Sequence, residues 1–140
     1  AKLCQKHGVR HPELLEINKL FSDSATELAS HMEKEEQILF PRIRNLATMN
    51  ADGPQDHLVT SSCLNAPIKV MMHEHDNEGE RFKKIDILTD HYQPPADACN
   101  TYKVTYSLLQ EFENDLHLHI HLENNILFPK AVQMEKELMN

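Results

Sequence analysis

Two stretches of this sequence carry the residue types of a metal site at helical spacing. His31 and Glu35 lie four residues apart, as do His119 and Glu123. On an α-helix that spacing stacks two side chains one turn apart on the same face, so an imidazole nitrogen and a carboxylate oxygen can reach one cation. Both pairs sit inside an internal repeat. SHMEKEEQILFPRI around His31 matches LHIHLENNILFPKA around His119, with His, Glu, Ile, Leu, Phe and Pro at identical offsets. A duplication that served packing alone would not require polar residues at its centre. His31 shares its stripe with Leu28, Ile38 and Leu39, and His119 with Phe112, Leu116 and Ile126, so both pairs are expected to face a core. Burying an imidazole and an ionised carboxylate without partners costs several kcal/mol, a large fraction of a small domain's stability. A cation offsets that cost.

The segment MMHEHDNEGERF supplies a fifth candidate. His75 lines up with Ile68, Met71, Met72 and Phe82, which favours it over the neighbouring His73, and Gly79 leaves space one turn on. Three imidazoles and two carboxylates without a thiolate suit iron or manganese and would also accept zinc. Two carboxylates able to bridge favour two ions over one. The Glu-x-x-His motif of ferritin-like bundles is absent, which weakens that reading. Glu74 and Glu78 are read as solvated helix-surface carboxylates. His117 and His121 fall with Glu113, Asn114 and Asn124 on an exposed polar face. His57 and His91 lie in loops without a recognisable partner, Met71 and Met72 are assigned to the core, and Cys99 to a buried, inert thiol.

Long helices must position these residues. Three glycines and no tryptophan in 140 residues favour an all-α fold over one with frequent turns. Apolar spacing predicts one helix from Pro12 to about Ala47, with Pro41 expected to kink or end it as Pro129 does in the second repeat. MNADGPQDHLVTSSCL reads as a loop. Asn65, Ala66 and Pro67 then cap a helix running to about Thr89. DHYQPPADA breaks the chain before a third helix from about Ala96 to beyond Val132, and residues 1–6 look like the tail of an earlier one. The whole, residues 1–140, is read as one domain, an antiparallel helical bundle.

A formal charge of −8 argues against nucleic acid or an anionic membrane as partner, since clustered Lys and Arg bind both. The three cysteines show no CxxC spacing, so neither a disulfide framework nor a zinc knuckle is expected. No apolar run approaches the roughly 20 residues of a membrane span. A cytoplasmic protein is the resulting expectation.

Taken together, HMEKEEQILFP, HEHDNEGE, PPADAC and HLENNILFP resemble the hemerythrin-like domain of the iron-sulfur cluster repair di-iron proteins, and the resemblance covers essentially the whole chain. It implies an antiparallel four-helix bundle holding two non-haem iron ions. It further implies His31 and His119 as terminal ligands, Glu35 and Glu123 as bridging carboxylates and His75 as a ligand from the helix between. The implied role is repair of iron-sulfur clusters damaged by oxidative or nitrosative stress, with iron and the damaged proteins as partners, rather than conventional enzymatic turnover. The sequence departs from the family pattern in two respects. The first helix, with one further histidine ligand, is largely missing, and so is an amino-terminal module with paired cysteines. An open coordination position and an uncovered apolar groove would follow, the latter favouring a homodimer. His7 and His11 stand several turns from His31 and are not expected to fill the gap. Two alternatives remain open: reversible binding or sensing of dioxygen or nitric oxide, and a helical interaction module held by structural zinc.

Overall fold

The computed structural model describes residues 1–52 and 64–139, and among these no strand occurs. The helices are α1 (Lys2–His7), α2 (Glu13–Lys34), α3 (Phe40–Asp52), α4 (Asn65–Leu88), α5 (Asn100–Leu122) and α6 (Phe128–Met139). Two π-helical segments, Glu35–Leu39 and Glu123–Leu127, join α2 to α3 and α5 to α6. His57 and Cys63 lie outside the described residues, as does most of the expected loop.

The repeated prolines neither end nor break the helices. Each follows a π segment in which the phenylalanine N–H reaches back five residues, Phe40 to the Glu35 carbonyl and Phe128 to the Glu123 carbonyl. The widened turn comes just before Pro41 and Pro129, which have no N–H to continue the ladder. One extra residue per turn sets the following side chains back by about 100°. That shift corrects the expected stripes: Ile38 and Ile126 are 48% and 53% exposed and Phe128 is buried, while Leu39 is buried as expected. Phe112 and Met72 are also exposed rather than core, and Leu14 and Ile17, not Leu15, face inward at the start of α2.

The chain divides into two compact units. The first comprises Ala1–Leu28 and Asp76–Leu118. Its core gathers Leu3, Leu14, Ile17, Phe82, Ile85, Tyr102, Tyr106 and Leu109. Phe112 packs its ring against Phe21 and Phe82 at centroid distances of 5.5 and 5.4 Å. A groove of about 530 Å³ in this unit is lined by Leu3, Leu14, Ile17, Phe21, Leu109 and Phe112, among others. Between α4 and α5 the backbone holds three consecutive residues at positive φ, Asp90, His91 and Tyr92. The turn is secured from within: the Tyr92 N–H donates to Thr89 Oγ1 at 3.0 Å, and the Tyr92 hydroxyl donates to Glu113. His91 therefore sits in a defined turn and has a partner, Asp86, at 3.0 Å.

The second unit comprises Ala29–His75 and His119–Asn140. Leu39, Ile43, Leu46, Leu64, Ile68, Met71, Phe128 and Ala131 form its apolar cluster. Glu135 of α6 is buried here because it serves the start of α4, its Oε2 accepting the Leu64 N–H at 2.9 Å. A carboxylate at a helix N-terminus also meets the favourable end of the helix dipole. Replacing Glu135 by alanine leaves a buried N–H without an acceptor and is expected to lower stability by about 1–3 kcal/mol, read as a shift of the urea midpoint. Glu135→Gln, which keeps an acceptor, should recover most of the loss; equal midpoints for wild type and Glu135→Ala would contradict this role.

Candidate metal centre

The five residues singled out by spacing converge in the second unit. His31 comes from the last turn of α2 and Glu35 from the first position of the following π segment; His119 and Glu123 take the corresponding places after α5, and His75 comes from α4. One ligand atom from each of His31, Glu35, His75, His119 and Glu123 falls within 4.8 Å of all the others. Metal–nitrogen and metal–oxygen bonds of about 2.0–2.2 Å place opposite ligands of one ion roughly 4 Å apart, so the spread is that of a cation's coordination sphere. His31, Glu35, His75 and Glu123 are buried, whereas the His119 side chain is 40% exposed and forms the accessible side of the cluster.

Glu123 is the hub. Its Oε1 lies 2.9 Å from His75 Nε2, 3.0 Å from His119 Nε2 and 3.9 Å from His31 Nε2. Glu35 Oε1 lies 2.8 Å from His31 Nε2, and the Nε2 atoms of His31 and His75 approach to 3.2 Å. Despite these short distances Glu35 Oε1 and Glu123 Oε1 have no hydrogen-bond partner among the described residues. Lone pairs on imidazole nitrogens and carboxylate oxygens are thus turned on one another in a dry place, an arrangement that a cation satisfies and that protons satisfy only in part. The donor set and the orphaned oxygens both fit a metal.

Without a metal, protons carry the balance. Burial opposes a charge on His31, but Glu123 and Glu35 outweigh it and lift its pKa to about 9. The Glu123 carboxylate beside His119 has the same effect on that imidazole. Burial would raise Glu123, yet the three imidazoles hold it well below the ordinary carboxylate range. Glu35 moves the other way, pushed up by burial and by Glu123, only partly opposed by His31. The two carboxylates are therefore inequivalent, shifted in opposite directions by the same cluster.

Around the cluster several sequence expectations change. Asn124 is not on an exposed face: its Oδ1 accepts a hydrogen bond from His75 Nδ1 at 2.8 Å. Sequence reasoning missed it because five residues separate it from His119, which on a helical wheel removes it from the ligand face. Phe128 stacks on the His75 ring, with centroids 6.0 Å apart and planes within 5°. Glu74 is not fully solvated; it accepts from Lys34 Nζ at 3.0 Å and lies 3.8 Å from His31 Nδ1. His73 is exposed, which leaves His75 as the inward histidine of its helix.

In the first unit Glu78 is buried rather than solvated, paired with Arg81 while its Oε2 has no hydrogen-bond partner among the described residues. Arg81 also reaches Glu27 at 2.6 Å. Gly79 does not relieve crowding, since a Cβ there would meet nothing within 4 Å. Glu113 is likewise off the exposed face, accepting from Tyr92, whereas His117 and His121 are exposed as expected. His7 and His11 are engaged elsewhere, His7 with Cys99 Sγ at 3.3 Å and His11 with Asp97 at 3.0 Å. Cys99 is accordingly half-buried beside an imidazole rather than an isolated buried thiol.

A family model described as the hemerythrin HHE cation binding domain matches residues 2–131. The chain belongs to that family. The all-α, hemerythrin-like class expected from the sequence is the class found, and the family's cation-binding character agrees with the cluster. Similar proteins include the iron-sulfur cluster repair protein YtfE of Musicola paradisiaca, 46% identical over 109 residues covering 78% of this chain and 43% of that protein. YtfE of an Enterobacter species is 47% identical over 148 residues, covering 93% and 61%. A probable iron-sulfur cluster repair protein of Haemophilus influenzae is 44% identical over 106 residues, covering 76% and 42%. The chain spans about half the length of these relatives. Among the described residues of this hemerythrin-family chain no helix is long and apolar enough to cross a membrane.

Proposed function

We propose that this hemerythrin-family chain holds two non-haem iron ions through His31, Glu35, His75, His119 and Glu123, and that it serves the repair of iron-sulfur clusters damaged by oxidative or nitrosative stress. The observation that carries the reading is the convergence of three imidazoles and two carboxylates within 4.8 Å, with two carboxylate oxygens left unsatisfied. The names of the relatives support the step from metal centre to cluster repair. When bound, iron would supply redox-active coordination chemistry and a transferable ion. The chain's own residues do the rest. Glu123 gathers three imidazoles, and Glu35 adds the second carboxylate, 2.8 Å from His31. The buried ligands exclude water from one side, while half-exposed His119 leaves the other accessible. The reading treats residues 1–140 as one cytoplasmic domain and includes self-association through the apolar groove lined by Leu14, Phe21 and Phe112.

The test is transfer. Chain loaded anaerobically with ferrous iron is incubated with an enzyme whose iron-sulfur cluster was damaged by nitric oxide or peroxide, and that enzyme's activity is followed. Recovery that requires the loaded chain, beyond free iron at the same concentration, is expected. No recovery, together with a reversible spectral change on exposure to dioxygen or nitric oxide, would favour a binding or sensing role at the accessible His119 side instead.

A further inference from the structure

We propose that Asn124 is a positioning residue for the metal centre, holding His75 in the Nδ1-protonated tautomer so that its Nε2 lone pair faces Glu123 and His31. The inference rests on reading the cluster as a metal site and assigns a role to a residue outside the ligand set. An imidazole can coordinate through either nitrogen, and the hydrogen bond made by one decides which is free. His75 Nδ1 lies 2.8 Å from Asn124 Oδ1, and an amide oxygen can only accept, so the proton sits on Nδ1. Nε2 is left as the coordinating nitrogen, 2.9 Å from Glu123 Oε1 and 3.2 Å from His31 Nε2. Phe128, stacked parallel to the ring, removes the freedom to tilt. Position and orientation are therefore set from both the edge and the face of the imidazole.

The internal repeat makes the assignment specific. Asn124 follows Glu123 as Glu36 follows Glu35, yet Glu36 is exposed and holds no imidazole. Among the described residues His31 Nδ1 has no hydrogen-bond partner, and the Glu74 carboxylate stands 3.8 Å away. Of the two buried imidazoles that meet at 3.2 Å, one is fixed by a neutral amide and the other is not. A neutral acceptor orients His75 without adding a third buried negative charge next to Glu35 and Glu123. An aspartate at 124 would keep the acceptor and add basicity to the ligand, whereas a leucine would remove the acceptor at nearly constant volume.

Two measurements decide the matter. In metal-free chain, ¹⁵N–¹H spectra of the histidine rings are expected to show a protected His75 Nδ1–H in wild type and in Asn124→Asp, and a mixture of tautomers in Asn124→Leu. In competition titrations with ferrous or zinc ions against a chelator, Asn124→Leu should bind about 10–100-fold more weakly, with Asn124→Asp at or above wild-type affinity. A His75 protonated at Nε2 alone in the wild type would overturn the proposal, as would equal metal affinity of wild type and Asn124→Leu, or equal weakening by leucine and aspartate. A wild-type chain that takes up no metal would overturn the reading underneath, while the tautomer of the metal-free chain still reports the hydrogen bond.

Discussion

Glu123→Ala is expected to abolish metal uptake at micromolar metal, a loss of more than about 100-fold, because the change removes the one carboxylate that faces all three imidazoles. Changing a neighbour of a ligand already costs about 10–100-fold, and Glu123 is assigned as a ligand itself. The same change should destabilise the metal-free protein near pH 6. Protonated His31 would keep Glu35 at 2.8 Å but lose the second carboxylate, Glu123 at 3.9 Å, in a site where it is only 3% exposed. Breaking a buried ion pair by removing one member costs on the order of 3–5 kcal/mol. Glu123→Gln preserves the shape without the charge and should show the same metal defect. Titration calorimetry on both variants, with thermal denaturation of the metal-free forms, checks the pair of effects. Normal metal affinity in Glu123→Ala would remove Glu123 from the centre.

The second large effect is on pH. His31 is lifted from 6.5 to about 9, so its protonation favours the folded metal-free chain; that contribution is complete below pH 6.5 and gone above about 9. Glu123 is held below its ordinary 4.5, so its contribution is present above that pH and is lost as the solution becomes more acidic. Metal-free protein should accordingly be most stable between about pH 4.5 and 6.5. From 6.5 to 9 it should lose on the order of 3 kcal/mol, at about 1.4 kcal/mol per pKa unit. Glu35, pushed upward by burial, costs stability once the pH passes 4.5, which moves the optimum toward the acidic end of that window. A metal reverses the alkaline limb. It takes the place of the protons, so uptake releases them, and apparent affinity rises up to tenfold per pH unit for each proton displaced. Denaturation midpoints with and without metal should therefore diverge as pH rises from 6.5 to 9. A metal-free chain whose stability is flat or rising over that range would contradict the assignment of His31.

The candidate cluster was legible in the sequence because its signal is local and duplicated. His31/Glu35 and His119/Glu123 declare themselves through i,i+4 spacing and through recurrence in the same apolar frame, and both pairs meet where expected. His75 had no carboxylate four residues on and rested on its alignment with Ile68, Met71, Met72 and Phe82, of which all but Met72 are buried with it. What the sequence concealed follows from the π segments. A period of 3.6 residues places Ile38 and Ile126 on the face of the cluster, but one added residue in each widened turn carries them out to solvent and brings Phe128 inward, while Leu39 is buried as its stripe predicted. The prolines gave the clue to a backbone irregularity without its kind, since a missing N–H is compatible with a kink, an end or a π turn. Contacts between distant segments were hidden for a different reason. Asn124 against His75, Glu135 at the Leu64 N–H, and His7 beside Cys99 join residues 49, 71 and 92 positions apart, and no periodicity within one helix encodes such pairs. Glu78 looked like one more acidic residue of a charged helix, yet it lies at the position that turns inward three residues after His75.

Metal content is the measurement that tests the centre most directly. Chain purified without oxygen from its native host, or reconstituted with ferrous iron and freed of excess, should carry two irons per chain by elemental analysis. Chain with His31, His119 and Glu123 all replaced by alanine should carry none. Wild-type chain that holds no iron after reconstitution, or that holds a single zinc and nothing else, would contradict the account of these five residues as a di-iron centre.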